Sequence, residues 1–344
     1  FTEIHLPETV TTLGTGSFRE CSNLEKVDLS GYNITVIPDY AFQKCGSLKK
    51  VVLPENLISI GYRAFSAQDS KLEGTIKIPA SVTSIASAAF YMASWDCTLD
   101  LSEHAPGSIT GQPWNGYNTT VIWAENGDSS CFVFNSETGV LCGLKRYNAE
   151  TGKHSDGSIC SDTATHTEGK VTIPYAIEND EGKSTVVTGI GAGAFAEPTG
   201  RVITSLDFES GSKVTKIGTF AFCYCSELTD VTLPVGLETI ETYAFGSTAI
   251  KSIDIPYTVK TISNNVLYSC NKLTTVTIGD EENGSKLTTM PTSLFNVSMK
   301  KLTLISIPGK DKNTIANAPW SAIYAAIQWR DEKVPPQVVT TDDG

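Results

Sequence analysis

Positive charge is what this sequence has least of. Its 26 lysines and arginines are outnumbered by 38 aspartates and glutamates, leaving a formal net charge of −12. Binding to nucleic acid needs a basic footprint that displaces counterions from phosphates, so nucleic acid is excluded as the expected partner. Anionic membrane surfaces are excluded on the same ground. Charged residues of both signs reach only 19%, below the roughly 25% of an average soluble protein. No run of about eighteen apolar residues occurs, so insertion into a bilayer is not expected. The catalytic signatures G-x-S-x-G and H-E-x-x-H are missing, as is an EF-hand loop. No signal peptide opens the chain, which begins at FTEIHLPETV, already inside a repeat. Residue 1 therefore reads as a cut end, and the missing signal says nothing about location.

What is present first looks like a phosphate loop. LGTGSFREC, residues 13–21, places two glycines around a small residue. A dinucleotide loop needs a third glycine, and a triphosphate loop needs a following lysine; neither is there. The same element returns instead as IGYRAFSAQ at 60–68, IGAGAFAEP at 190–198 and IGTFAFCYC at 217–225. Looser copies stand at 85–93 and 240–248. An element used this often is structural.

Aligning the copies gives a unit of about 23 residues with the rule L-x-x-V-x-L-P-x-x-L-x-x-I-x-x-x-A-F-x-x-C. The V-x-L pair alternates at period two, which predicts a short strand with one face inward. Examples are Val27/Leu29, Val51/Leu53, Ile253/Ile255 and Val276/Ile278. Proline follows many of them (Pro54, Pro79, Pro234, Pro256) and ends the pairing, because it has no N–H to donate. A second apolar pair such as Leu57/Ile60 then returns to the core. An Ala-Phe step fills the far side, with Phe18, Phe42, Phe65, Phe90, Phe195, Phe222, Phe245 and Phe295 in that slot and Leu267 as a substitute. No single unit can bury its own apolar face, so units must stack into a solenoid with a parallel sheet along one side.

The pattern resembles the BspA-like leucine-rich repeats of bacterial cell-surface proteins, over about 1–125 and 171–328 with nine or ten copies. The resemblance implies an α/β, mainly β, right-handed leucine-rich-repeat solenoid, with one short parallel strand per repeat and two arrays in tandem. It also implies an extracellular or cell-surface adhesion or ligand-binding module, in some relatives one that contacts host matrix proteins.

The array decays twice, into GQPWNGYNTTVIWAENGDS after Leu101 and into NAPWSAIYAAIQWRDEK after Ile307. Both stretches place Pro-Trp ahead of an apolar segment and a second tryptophan: Trp114 and Trp123, then Trp320 and Trp329. An atypical terminal unit covers the last core layer of a solenoid, so both read as C-terminal caps. A carbohydrate-stacking platform is the alternative use of such tryptophans, and it requires them exposed. The expected organisation is a first array at 1–125, a hairpin and irregular segment at 126–170, a second array at 171–330 and a linker-like tail at 331–344. Within the connection, CFVFNSETGVLCGL (131–144) alternates apolar residues around a turn signal and predicts a hairpin.

Nine cysteines invite a disulfide or metal reading. Cys21, Cys45, Cys225 and Cys270 each lie three residues past the Phe slot and are expected as free core thiols. Cys223 and Cys225 have no second pair nearby for zinc. Cys131 and Cys142 flank the hairpin, where a cross-strand disulfide is one outcome if the distances allow. His154, Cys160 and His166 share a polar stretch and read as solvated. GDEENGSK at 279–286 lacks calcium-ligand spacing and reads as a surface turn. No metal, cofactor or catalytic residue is expected.

Function then falls on the polar alternates of the strands. The candidate interface is Lys26, Asp28, Lys50 and Lys77 in the first array and Asp230, Thr232, Asp254 and Thr277 in the second. Lysines gather in the first set and aspartates in the second, so the two faces are expected to differ in sign. The leading expectation is a monomer that binds a protein, host matrix proteins among the candidates, without catalysis. A structural spacer and a glycan-binding module are the alternatives.

Overall fold

The computed structural model describes residues 1–67, 71–91, 97–109, 120–123, 132–144, 147–148, 153–154, 168–178, 182–196, 203–296, 299–308, 315, 321–322 and 325–329. Among these residues the chain is a β-solenoid of strands and turns with no α-helix, and no helix is long and apolar enough to cross a membrane.

The V-x-L pairs form the expected parallel ladder. Lys26–Asp28 pairs with Lys50–Val52, and Gly74–Lys77 with Cys97–Leu101. In the second array Lys170–Ile173, Ser205–Phe208 and Asp230–Val231 run in parallel, as do Ser252–Ile255, Thr275–Ile278 and Leu304–Ile307. Burial alternates as the pleat requires: in Ser252–Ile255, Ile253 and Ile255 are buried while Ser252 and Asp254 are exposed.

Among the described residues, seven turns of the solenoid carry a second parallel strand that the sequence rule did not announce. Val36–Ile37, Ser59–Ile60 and Ser84–Ile85 pair in one ladder, and Gly189–Ile190, Lys216–Ile217, Thr239–Ile240 and Thr261–Ile262 in another. These are the returning apolar pairs. Their isoleucines point inward, and two residues are too few to show an alternation in sequence.

The Ala-Phe slot builds stacked columns of rings. Phe18, Phe42, Phe65 and Phe90 follow one another at 5.4, 5.3 and 5.4 Å between centroids, all within 12° of parallel. Phe195, Phe222 and Phe245 repeat this at 4.9 and 5.4 Å. The spacing is close to the distance between neighbouring strands, so the ladder sets the stack. Immediately before the residue pair that ends in the ring the backbone turns left-handed in most rungs, with φ of +65° at Gly16, +60° at Tyr40, +52° at Arg63 and +55° at Tyr243. Only a sharp reversal there lets the next ring drop onto the previous one.

The repeat cysteines are free thiols, and three of the four bond the previous rung. The Sγ of Cys45, Cys225 and Cys270 donate to the carbonyls of Phe18, Phe195 and Phe245 at 3.1, 3.2 and 3.1 Å. Burial pushes the thiols of Cys45 up to about 11 and of Cys97, Cys142 and Cys223 up to about 12. Cys21, in the first rung, is half-buried rather than a core residue. Cys142 is a buried free thiol; Cys131 lies outside the described residues.

The predicted hairpin is Phe132–Asn135 against Val140–Leu144, and Val140–Leu144 also pairs in parallel with Gly189–Ile190. A further antiparallel pair, Ala176–Glu178 with Ser184–Val186, interrupts the first rung of the second array. Tyr147–Asn148 and Lys153–His154 form a short antiparallel pair, which places His154 on a strand rather than in an irregular loop. Cys160 and His166, the other members of the grouping expected to be solvated, lie outside the described residues. His104 is buried, with Nε2 3.0 Å from the carbonyl of Pro79. GDEENGSK folds as a tight turn closed by the Asp280–Gly284 bridge.

Candidate recognition face

The outer row of the first ladder holds the expected lysines, but carboxylates neutralise two of the three. The ammonium of Lys26 lies 2.6 Å from Glu3 and 3.7 Å from Asp28. Those contacts raise the lysine pKa and hold Glu3 below the ordinary carboxylate range. Asp28 is also held low, chiefly by hydrogen bonds from Ser30. Lys77 sits opposite Asp100 in register and pairs with Glu103 at 2.6 Å, which raises its pKa. Lys50 is exposed opposite Lys26 and has no ion pair among the described residues. The expected positive strip is therefore cancelled at Lys26 and Lys77, where the repeat sets acid and base one rung apart, and is kept at Lys50. Glu20–Lys44 at 3.0 Å, Glu25–Lys49 at 2.9 Å and Glu238–Lys260 at 2.6 Å follow the same rule.

The second face is different. Asp207, Asp230 and Asp254 are all exposed on three consecutive rungs, and none has a cationic partner among the described residues. Asp230 lies opposite Ser205 in register and accepts a 2.6 Å hydrogen bond from the hydroxyl of Thr229. Asp254 lies opposite Thr277, which lies opposite Ser306. Thr232 is exposed beside this row and Thr277 is half-buried within it. Lys170, at one end, is taken up by Glu168 at 2.6 Å. The result is a set of carboxylates and hydroxyls on successive rungs, with Asp207 and Asp230 on one parallel sheet and Asp254 and Thr277 on the next. The structure brings Asp230, Thr232, Asp254 and Thr277 together on one face. Asp207 was not among the expected residues, although its place between the alternating pair Leu206/Phe208 marked it as a polar alternate of a strand.

A second surface lies on the turn side, where aromatic residues ride on the left-handed positions. Phe220 stacks on Tyr243 at 5.1 Å, and Tyr243 meets Tyr268 edge-on at 5.5 Å. Burial raises the phenol pKa of Tyr243, helped by Tyr268, Cys223 and Tyr91. In the first array Arg63 lies over the rings of Tyr62 and Tyr91 at 5.3 and 5.5 Å.

The tryptophan-bearing ends continue the ladders. Thr120–Trp123 pairs in parallel with Cys97–Leu101, setting Trp123 opposite Leu101. Ala326–Trp329 pairs likewise with Leu304–Ile307, setting Trp329 opposite Ile307. In both, tryptophan takes the register of the inner aliphatic residue, and Trp123 is 6% exposed, within the first core. A carbohydrate platform needs an exposed ring, so Trp123 does not serve as one. Trp114, Tyr117 and Trp320 lie outside the described residues.

No residue cluster with metal-binding composition is found among the described residues. The family model described as the BspA type leucine rich repeat region matches residues 1–95 and 188–321 in six copies, well over half of the chain. The chain belongs to this family. Repeats of this kind are in general non-catalytic protein-interaction modules. Comparison with curated proteins finds no match. Among solved structures, the chain is similar to a leucine-rich cell surface protein from Faecalibacterium prausnitzii, at 19% identity and a TM-score of 0.47, over 97% of this chain and 83% of the other. It is similar to the pneumococcal vaccine antigen PcpA at 19% identity and a TM-score of 0.46, over 91% and 78%. A leucine-rich repeat protein from Bacteroides ovatus gives 16% identity and a TM-score of 0.40, over 88% and 63%. The chain spans just under two thirds of that protein and of one from Eubacterium ventriosum, at 63% and 66%.

Proposed function

We propose that the protein is a non-enzymatic, surface-exposed bacterial recognition module that binds a protein of a host or neighbouring cell through the strand face of its solenoid. The observation that carries this reading is the group of exposed aspartates on three successive rungs, Asp207, Asp230 and Asp254, with Asp230 in register with Ser205 and none of them beside a cation among the described residues. Several acids elsewhere on the solenoid, such as Glu20, Glu25 and Glu238, meet a lysine one rung away, and these three aspartates do not. Carboxylates at such spacing complement a basic patch on a partner and speed its approach at low salt. The first face, with Lys26, Asp28, Lys50 and Lys77, is balanced except at Lys50 and contributes contact area more than steering.

The test is a binding screen of the full chain against immobilised host matrix proteins and a glycan array, at low and physiological salt. Saturable protein binding that weakens with salt and falls in an Asp207→Asn, Asp230→Asn, Asp254→Asn variant is the expected result. Binding unaffected by that variant but lost on Lys26→Glu, Lys50→Glu, Lys77→Glu would move the interface to the first array. Binding to glycans alone, or to nothing, would overturn the reading in favour of a glycan module or a spacer.

A further inference from the structure

We propose that the hairpin Phe132–Leu144 is a layer shared by both arrays that makes them unfold as one cooperative unit. Phe132, Phe134, Leu141 and Leu144 enter the core of the second array. Val133 and Cys142 enter the core of the first, and Val140 packs against it. The side chains alternate strictly between the two cores. The bulge between Leu141 and Gly143 keeps that assignment in phase, since it lets Leu141 and Leu144 share a face although they are three residues apart.

The backbone of the hairpin is anchored on both sides. Towards the second array, the N–H of Thr188 donates to the carbonyl of Gly139 at 2.8 Å and the N–H of Gly191 to that of Leu141 at 2.6 Å. Phe132 closes the ring column edge-on, 6.3 Å from Phe195 and at 81° to it. Towards the first array, the side-chain amide of Asn135 donates to the carbonyl of Pro106 at 2.6 Å. There the Sγ of Cys142 sits so close to Gly107 that a methyl group at that glycine would be 3.3 Å away.

A cap that merely ends a solenoid has one apolar face and one polar face. This hairpin is apolar on both, and Val133, Phe134, Leu141 and Cys142 are all buried. Parting the arrays would expose one of those faces whichever array kept the hairpin. The arrays are therefore not independent units joined by a hinge.

The cysteines provide probes already in place. Cys97 lies in the first core, Cys142 at the junction and Cys225 in the second core, all as buried free thiols. The experiment is alkylation of the full chain in rising sub-denaturing urea, read at each cysteine by mass spectrometry, since a buried thiol reacts only through opening. The three thiols should become reactive with a common urea dependence. Phe134→Ala, which removes a ring only from the second core, should speed Cys97 and Cys225 alike, by about a hundredfold or more. If that variant fails to fold, Val133→Ala, which touches only the first core, should still accelerate Cys225 about tenfold. Acceleration confined to the array that was altered, or separate urea dependences for Cys97 and Cys225, would overturn the proposal.

Discussion

Replacing Phe222 by alanine tests the packing argument at its strongest point. The ring is fully buried and held between Phe195 at 4.9 Å and Phe245 at 5.4 Å. Truncation of a buried phenylalanine costs about 3–5 kcal/mol. Losing two ring pairs, each worth about 0.5–1.5 kcal/mol beyond burial, places this one in the upper half, near 4–5 kcal/mol. Phe18 provides the internal control. It is half-buried with a single stacking partner, Phe42 at 5.4 Å, so Phe18→Ala should cost roughly half as much. Leu267 occupies the slot naturally in another rung, so Phe222→Leu keeps most of the burial and should cost under about 1.5 kcal/mol. Urea unfolding of the full chain, followed by circular dichroism, measures all three. A cost below about 1 kcal/mol for Phe222→Ala, or equal costs at Phe222 and Phe18, would refute the claim that the ring column carries the core.

Glycine positions separate crowding from backbone strain. A β-carbon at Gly61 would lie 2.5 Å from the backbone nitrogen of Asp39, so Gly61→Ala must push two rungs apart and should lose about 3 kcal/mol in the same urea assay. Gly16→Ala meets only ordinary contacts but keeps a φ of +65°, so it should lose about 1 kcal/mol, while Gly14→Ala, with open space around it, should be silent. Lys44 and Lys49 hold Glu20 and Glu25 below the ordinary value of 4.5 through hydrogen bonds. Their contribution is present above that value and lost as pH falls through the lowered one. Stability measured from pH 5 down to 3 should therefore fall less steeply in Glu20→Gln, Glu25→Gln, and equal slopes would contradict the pairing.

The repeat rule made the first ladder legible because Val27/Leu29 or Ile253/Ile255 show a period of two, and the Phe slot because its spacing recurs in every copy. The second ladder escaped because strands such as Ser59–Ile60 hold one inward residue each and show no period. The hairpin could be read locally from its alternation, yet its double burial could not. Val133 and Phe134 are both apolar neighbours, and nothing in a local pattern says that two different cores lie on opposite sides. Charge failed for a related reason. Counting lysines along the first array suggested a positive face, whereas stacking brings Glu3, Asp100 and Glu103 from adjoining rungs beside Lys26 and Lys77. Burial of Trp123 was the one cap feature that the sequence left open between two uses and the ladder register decided.

Carboxylate footprinting of the full chain, with and without a captured protein partner, tests the recognition face most directly. The account predicts that Asp207, Asp230 and Asp254 lose labelling on binding, while Glu20 in the first array and Glu137 in the hairpin turn, both exposed, label as before. Unchanged labelling at all three aspartates, with protection appearing elsewhere, would contradict it.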